Sequence, residues 1–246
     1  MNRKTTEKNL LYSIFDGTFY SIMVGFGESF FMAFGVFLKA NIFQQGLIGS
    51  LPQSLGYFFE LFSDRLLRTI KSRKLMVLIG AFLQGLMYIP VMLIFLFGEN
   101  KIPLLILFIS IYWIVGMIVS PAWNSWMTDI VPVKERGMYF GKRTKIAGIA
   151  SFVAYVLGGL VLQTLGGKFE YIGYILIFGV AFVSRMVSFF FLLKQDEPKY
   201  VLTIERYKFR TFISSLFSSN FGRFTVYMFM LNFSVQVAAP FFIPYM

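Results

Sequence analysis

Apolar stretches long enough to cross a bilayer alternate along this chain with short charged breaks. A hydrocarbon core of about 30 Å takes about 20 helical residues. The pattern predicts seven transmembrane helices at 15–38, 46–63, 75–97, 103–127, 143–165, 171–193 and 223–245. The basic residues sort between the breaks. The amino terminus, the second-to-third, the fourth-to-fifth and the sixth-to-seventh breaks hold 19 of them, whereas Lys39, Lys101 and Lys168 are alone in the other three. Basic loops stay on the cytoplasmic side, so the amino terminus is expected inside a multi-pass protein of the cell (cytoplasmic) membrane. The first apolar run starts like a secretory leader, but Asp16 interrupts it and no small-residue cleavage site follows, so it is expected to stay as an anchor.

Within the spans the polar positions fall on stripes. At 100° per residue, Gly17, Ser21, Gly25, Glu28, Met32 and Gly35 share an arc of roughly 80° on span 1. Span 2 carries Gly49, Gln53, Gly56, Glu60 and Asp64, and span 4 carries Trp113, Gly116, Ser120, Trp123, Asn124 and Met127. Thr144, Gly148, Ser151, Tyr155 and Gly159 mark span 5, and spans 3 and 6 show no comparable stripe. Small residues allow close helix packing. Packing needs no carboxylate or amide, however, and polar groups at membrane depth usually face a bundle interior or a watery path. Glu28, Gln53, Trp123, Asn124 and Tyr155 are therefore the candidates for a solute or ion pathway.

Two charged side chains carry open alternatives. Glu28 lies roughly 20 Å into span 1, where it either carries a proton or a cationic group, or hydrogen-bonds a neighbouring helix. Arg185 lies roughly 12 Å from the inner end of span 6. It either snorkels or pairs with Glu60 or Asp16, or else it touches the solute. Asp16, Glu60 and Arg185 are together the candidates for structural ion pairs inside the membrane.

Composition narrows the function classes. At 57% hydrophobic and 14% charged residues, the chain is too apolar for a soluble domain. The net charge of +11 is accounted for by loops lying against anionic lipid, and no basic run is interleaved with a stacking platform, so nucleic acid is not an expected partner. Cysteine and histidine are absent, which removes thiolate chemistry, imidazole metal sites and histidine-based triads. No enzyme activity, cofactor or metal is expected.

Three segments resemble the major facilitator superfamily of secondary transporters. FELFSDRLLRTIKSRKLMVL after span 2 is similar to that family's loop of an acidic residue and a basic cluster, with Asp64, Arg65 and Arg68 at the matching positions and Glu60 and Leu67 where glycines are usual. After span 4, SPAWNSWMTDIVPVKERGMYFGKR places Asp129, Pro132, Arg136, Gly137, Gly141 and Arg143 at the family's spacing. NFSVQVAAPFFIPYM is similar to the first helix of the second half.

The resemblance implies an all-α, major-facilitator-type helical bundle built from inverted three-helix repeats, with about twelve helices in the full protein. Residues 1–195 would be the amino-terminal six-helix bundle, 196–221 a cytoplasmic linker and 222–246 the first helix of a truncated second bundle. It further implies spans 1, 2, 4 and 5 around the cavity, spans 3 and 6 at the periphery, and Asp64, Arg65, Arg68, Asp129 and Arg136 as gating-loop charges. Two marks of proton-coupled drug antiporters are missing: an arginine within span 4, and a Gly-Pro step in span 5, where this chain reads YVLGG. The expected partners are a small-molecule solute, membrane lipid and a coupling proton or sodium ion. The alternative reading is a non-transporting membrane sensor or scaffold, or the permease subunit of a multiprotein transporter.

Overall fold

The computed structural model describes residues 3–198, 214 and 216–242. The chain divides into two compact units, 1–200 and 201–246. Among the described residues every regular element is helical. Among the described residues, five helical stretches are long and apolar enough to span a membrane: Lys4–Phe37, Arg73–Met92, Ile94–Ile130, Val133–Thr164 and Glu170–Lys194.

In the first unit, α1 (Arg3–Phe26) is followed by a 3-10 turn at Glu28–Phe30 and by α2 (Phe31–Phe37). The expected first span is thus broken near its middle. At the break Gly27 comes close to the Tyr88 ring, and a Cβ there would overlap the Tyr88 hydroxyl. Ser29 Oγ donates to the Val24 carbonyl across the break at 3.1 Å, covering a backbone acceptor that irregular geometry would otherwise expose.

After the left-handed turn at Lys39 (φ 64°), α3 (Ile42–Glu60) starts on a capping box. Asn41 accepts from the Gln44 amide and the Gln44 side chain accepts from the Asn41 amide, satisfying two orphan donors. This helix falls outside the five spans just named. Gln44, Gln45, Ser50, Gln53 and Ser54 dilute its apolar content, although its 19 residues would reach about 28 Å. The short α4 (Ser63–Ile70) ends on Lys71 in the left-handed region (φ 60°), and Ser72 then caps α5 (Arg73–Leu86).

The expected third span is interrupted as well. α5 gives way at Met87 to α6 (Tyr88–Met92) and then to a 3-10 segment, Ile94–Asn100. Pro90 lacks the N–H that would bond the Leu86 carbonyl, and its ring crowds that carbonyl. By contrast α7 (Lys101–Ile130) runs helical through Pro121 for 30 residues. α8 (Arg136–Thr164) and α9 (Glu170–Lys194) complete the unit.

Packing pairs α3 with α7, α1 with both α8 and α9, and α5 with both α7 and α9. One core gathers Phe31, Phe34, Tyr88, Tyr112, Tyr174 and Phe178, with Phe34 and Phe178 edge-to-face at 5.1 Å, a favoured aromatic geometry. The other gathers Met76, Ala81, Trp126, Met127 and Leu192 towards the charged loops. Outward faces remain apolar, as at Phe152, Leu176, Val183 and Phe190; in lipid that exposure carries no penalty.

The second unit's described helix is α10 (Asn220–Phe242). It starts where the Ser219 hydroxyl accepts from the Gly222 amide at 2.9 Å. Most of the expected 196–221 linker, and residues 243–246 of the expected seventh span, lie outside the described residues.

Candidate functional site

Five helices enclose a cavity of about 230 Å3 inside the first unit. α1 supplies Asp16 and Tyr20, one turn apart, and α5 supplies Val77 and Gln84. α7 contributes Gly116, Val119, Ser120, Trp123 and Asn124, while Arg143 enters from α8 and Arg185 from α9, with Leu192. The cavity is partly open, and Asn124, itself exposed, is part of its lining.

Asp16 is the electrostatic hub. It is 3% exposed and accepts from Ser188 Oγ at 2.7 Å and from an Arg143 guanidinium nitrogen at 3.4 Å. Ser188 in turn accepts from an Arg185 terminal nitrogen at 2.9 Å. One carboxylate thus holds two guanidiniums, one by direct contact and one through a hydroxyl that donates and accepts at once.

Both guanidiniums also lie on aromatic faces, Arg143 on Trp123 at 4.4 Å and Arg185 on Tyr20 at 4.9 Å. Cation–π contacts of this kind strengthen where water is thin. Arg143 reaches across α1 because Gly17 has no side chain: a Cβ there would lie 2.7 Å from the guanidinium carbon. Arg143 Nε donates to the Ser13 carbonyl at 3.2 Å and so fixes the side chain from a second direction.

The sequence candidates divide around this cavity. Trp123, Asn124, Asp16 and Arg185 line it; Glu28, Gln53, Tyr155 and Glu60 do not. Arg185 engages Ser188 and Tyr20 rather than Glu60, and it meets Asp16 through Ser188 instead of by a direct ion pair. Glu28 stands at the α1 break, where its carboxylate accepts from the Tyr112 hydroxyl at 2.5 Å. The same hydroxyl lies 3.0 Å from the Met23 sulfur, which the Tyr88 hydroxyl also approaches at 3.1 Å. Tyr155 is half exposed and stacks on Phe30 at 5.4 Å.

Spans 3 and 6, expected at the periphery, both reach this cavity inside the bundle. Gln84 of α5 and Arg185 of α9 line it, whereas α3 contributes no lining residue. Span 3 holds too few polar residues to form a stripe, and in span 6 Ser184, Arg185 and Ser188 make only a short cluster. A lone glutamine in an otherwise apolar span was the available signal for Gln84. For Arg143 it was the basic residue at the inner end of span 5.

The loop charges form separate groups. Asp64 pairs with Arg68 one turn on at 2.8 Å on the exposed side of α4, and Arg65 lies over the Phe62 ring at 5.7 Å. Asp129 is held by Arg73 at 2.6 Å. Arg73 is fully buried; it also reaches Glu197 at 3.4 Å and Ser125 at 3.1 Å. Ser72 Oγ and the Arg73 amide both donate to the Glu197 carboxylate. Arg136, expected beside Asp129 as a second charged loop, donates instead to the Thr128 and Val131 carbonyls at the end of α7, where a cation complements the helix dipole.

The family model described as Major Facilitator Superfamily matches residues 11–246. No curated protein matches the chain.

Proposed function

Because the chain belongs to the major facilitator superfamily, and hence to a class of multi-pass membrane transporters, we propose that it serves ion-coupled secondary transport of a small solute by alternating access. The observation that carries this reading is the cavity in which Asp16, Arg143, Arg185 and Gln84 are gathered among apolar helices. Charged groups are expensive at membrane depth and mark solute or ion pathways. The broken helices at Gly27 and Met87 are of a kind that transporters tolerate next to such cavities.

In this reading the protein lies in the cytoplasmic membrane with its amino terminus inside, and no covalent chemistry takes place. Asp64, Arg65 and Arg68, with Asp129 and Arg136, would bias one access state over the other. Glu28 is the coupling candidate, since its carboxylate sits at a helix break, within hydrogen-bond reach of one donor.

The test is uptake into proteoliposomes carrying an imposed proton or sodium gradient, with a panel of labelled anionic, neutral and cationic solutes. Gradient-driven accumulation of at least one solute, abolished on collapsing the gradient with an ionophore, is expected. Flux of every solute at the rate of empty liposomes would overturn the proposal.

A further inference from the structure

We propose that the groove between the start of α1 and the end of α9 seats one anionic phospholipid, with its phosphate held by Lys8 and Lys194. The inference rests on the membrane placement of the chain and not on what it transports.

The groove follows from the two faces of α1. Asn9, Ser13 and Asp16 point into the bundle, each 3% exposed or less. Lys4, Lys8, Tyr12, Phe15 and Phe19 fall on another side, within an arc of roughly 80°. Phe191 of α9 packs against that stripe, its ring 6.1 Å from Tyr12, 5.1 Å from Phe15 and 5.9 Å from Phe19. Around it Leu11 and Phe15 on α1, and Phe190 and Leu193 on α9, stay exposed. The two helix ends lie side by side, since the Asp196 amide donates to the Asn9 side chain at 3.1 Å. Lys8 is thus one turn above Tyr12 and Lys194 one turn above Phe191, at the same end of an apolar wall. A phospholipid has the matching order, a phosphate followed by acyl chains.

Charge selects the headgroup. Lys8 Nζ lies 5.6 Å from the Tyr12 ring centre and Lys194 Nζ 5.9 Å from that of Phe191. Neither lysine forms an ion pair among the described residues. The acidic groups nearby do not answer them. Glu197 is held by Arg73 and Ser72. Glu7 points about 100° away from Lys8 and has a contact of its own, and Asp196 pairs with neither lysine. Lys74, at the same end of α9, is the contrast, because its ammonium is taken by the Leu193 carbonyl at 2.9 Å. Exposed cation–π contacts are weak, so Lys8 and Lys194 keep their charge for a phosphate. Each lysine near an anionic membrane surface favours association by about fivefold.

Other occupants fit less well. A choline headgroup brings a cation of its own. Residues 199–213 of this chain carry four basic residues and one acidic, so their charge repels the two lysines.

The experiment uses the absence of native cysteine. The Leu11→Cys variant is labelled with bimane, purified and reconstituted in bilayers that mix phosphatidylcholine with phosphatidylglycerol, one of the two brominated in its acyl chains. Quenching then reports which lipid lies beside position 11. A preference for phosphatidylglycerol of at least about fivefold is expected there, and none at a label on Leu176→Cys near the other end of α9. Lys8→Gln and Lys194→Gln should each lower the preference by about half or more, and together bring it close to unity. Both lysines are exposed, so these variants keep the fold. Lys74→Gln should leave the preference unchanged.

Equal quenching by the two lipids at position 11, or a preference that survives the double variant, would overturn the proposal. So would quenching by neither lipid, which means that protein covers the groove, or the same preference at position 176, which means a diffuse field. Loss of the preference on adding inorganic phosphate at constant ionic strength would also overturn it, in favour of a site for a soluble anion.

Discussion

Glu28 and Asp16 lie twelve positions apart on one helix system, yet they occupy different chemical settings. Asp16 is surrounded by donors and countercharges, two of them guanidiniums. Glu28 has one hydroxyl donor, Tyr112, and feels the Arg185 charge without a direct contact to it. A carboxylate whose direct hydrogen bond comes from a neutral hydroxyl can change protonation with less rearrangement than one bonded directly to a guanidinium. Glu28→Gln is therefore expected to keep the Tyr112 contact, because the amide oxygen still accepts, and to change unfolding stability by less than about 1 kcal/mol. In proteoliposomes it should abolish uphill accumulation and preserve exchange of solute across the membrane. Normal concentrative uptake by this variant would assign Glu28 to helix bracing alone.

At the scale of elements, the end of the bundle that carries the charged loops is knitted by Arg73. Its guanidinium gathers Ser125 and Asp129 of α7 and the segment after α9 at Glu197, while Trp126 Nε1 donates to the Asp196 carbonyl and the Asp196 amide to Asn9. Four parts of the chain are thereby tied at one level. Arg73→Met should destabilise by about 2–4 kcal/mol, because Glu197 is left mostly buried without its cation; the half-exposed Asp129 adds little, being solvated. Chemical unfolding in detergent measures this, and Arg73→Lys should recover only part since it cannot hold three partners at fixed angles. The exposed Asp64–Arg68 pair stands in contrast. Its loss should be nearly neutral for stability, which separates any gating role from a structural one.

At the scale of the whole molecule, the orientation rests on the sorting of basic residues between the breaks. Cysteines introduced at Lys39 and Lys101 should react with an impermeant thiol reagent added to intact cells, and cysteines at Arg68 and Lys142 should react only after permeabilisation. With no native cysteine in the chain, the background is clean. Labelling of the second pair in intact cells would invert the assigned orientation.

Helical class, the family and the rough placement of five of the seven expected spans were legible in the chain itself, because the length and apolarity of a membrane helix are properties of a local segment. The stripe on span 4 likewise reached Trp123 and Asn124 from periodicity alone. The breaks at Gly27 and Met87 were not foreseen. Pro90 offered a local cue for the second; the first meets the Tyr88 ring from sixty-one positions away, a neighbour that no local pattern announces. The bridge from Asp16 through Ser188 to Arg185, the seating of Arg143 over Gly17 and the capture of Asp129 by Arg73 were decided by the tertiary structure. Each joins side chains on different helices. A sequence fixes the phase of residues around one helix axis, but not which face a neighbouring helix presents or how far a guanidinium extends. That depends on packing, where the absence of a single Cβ determines whether a charge can cross.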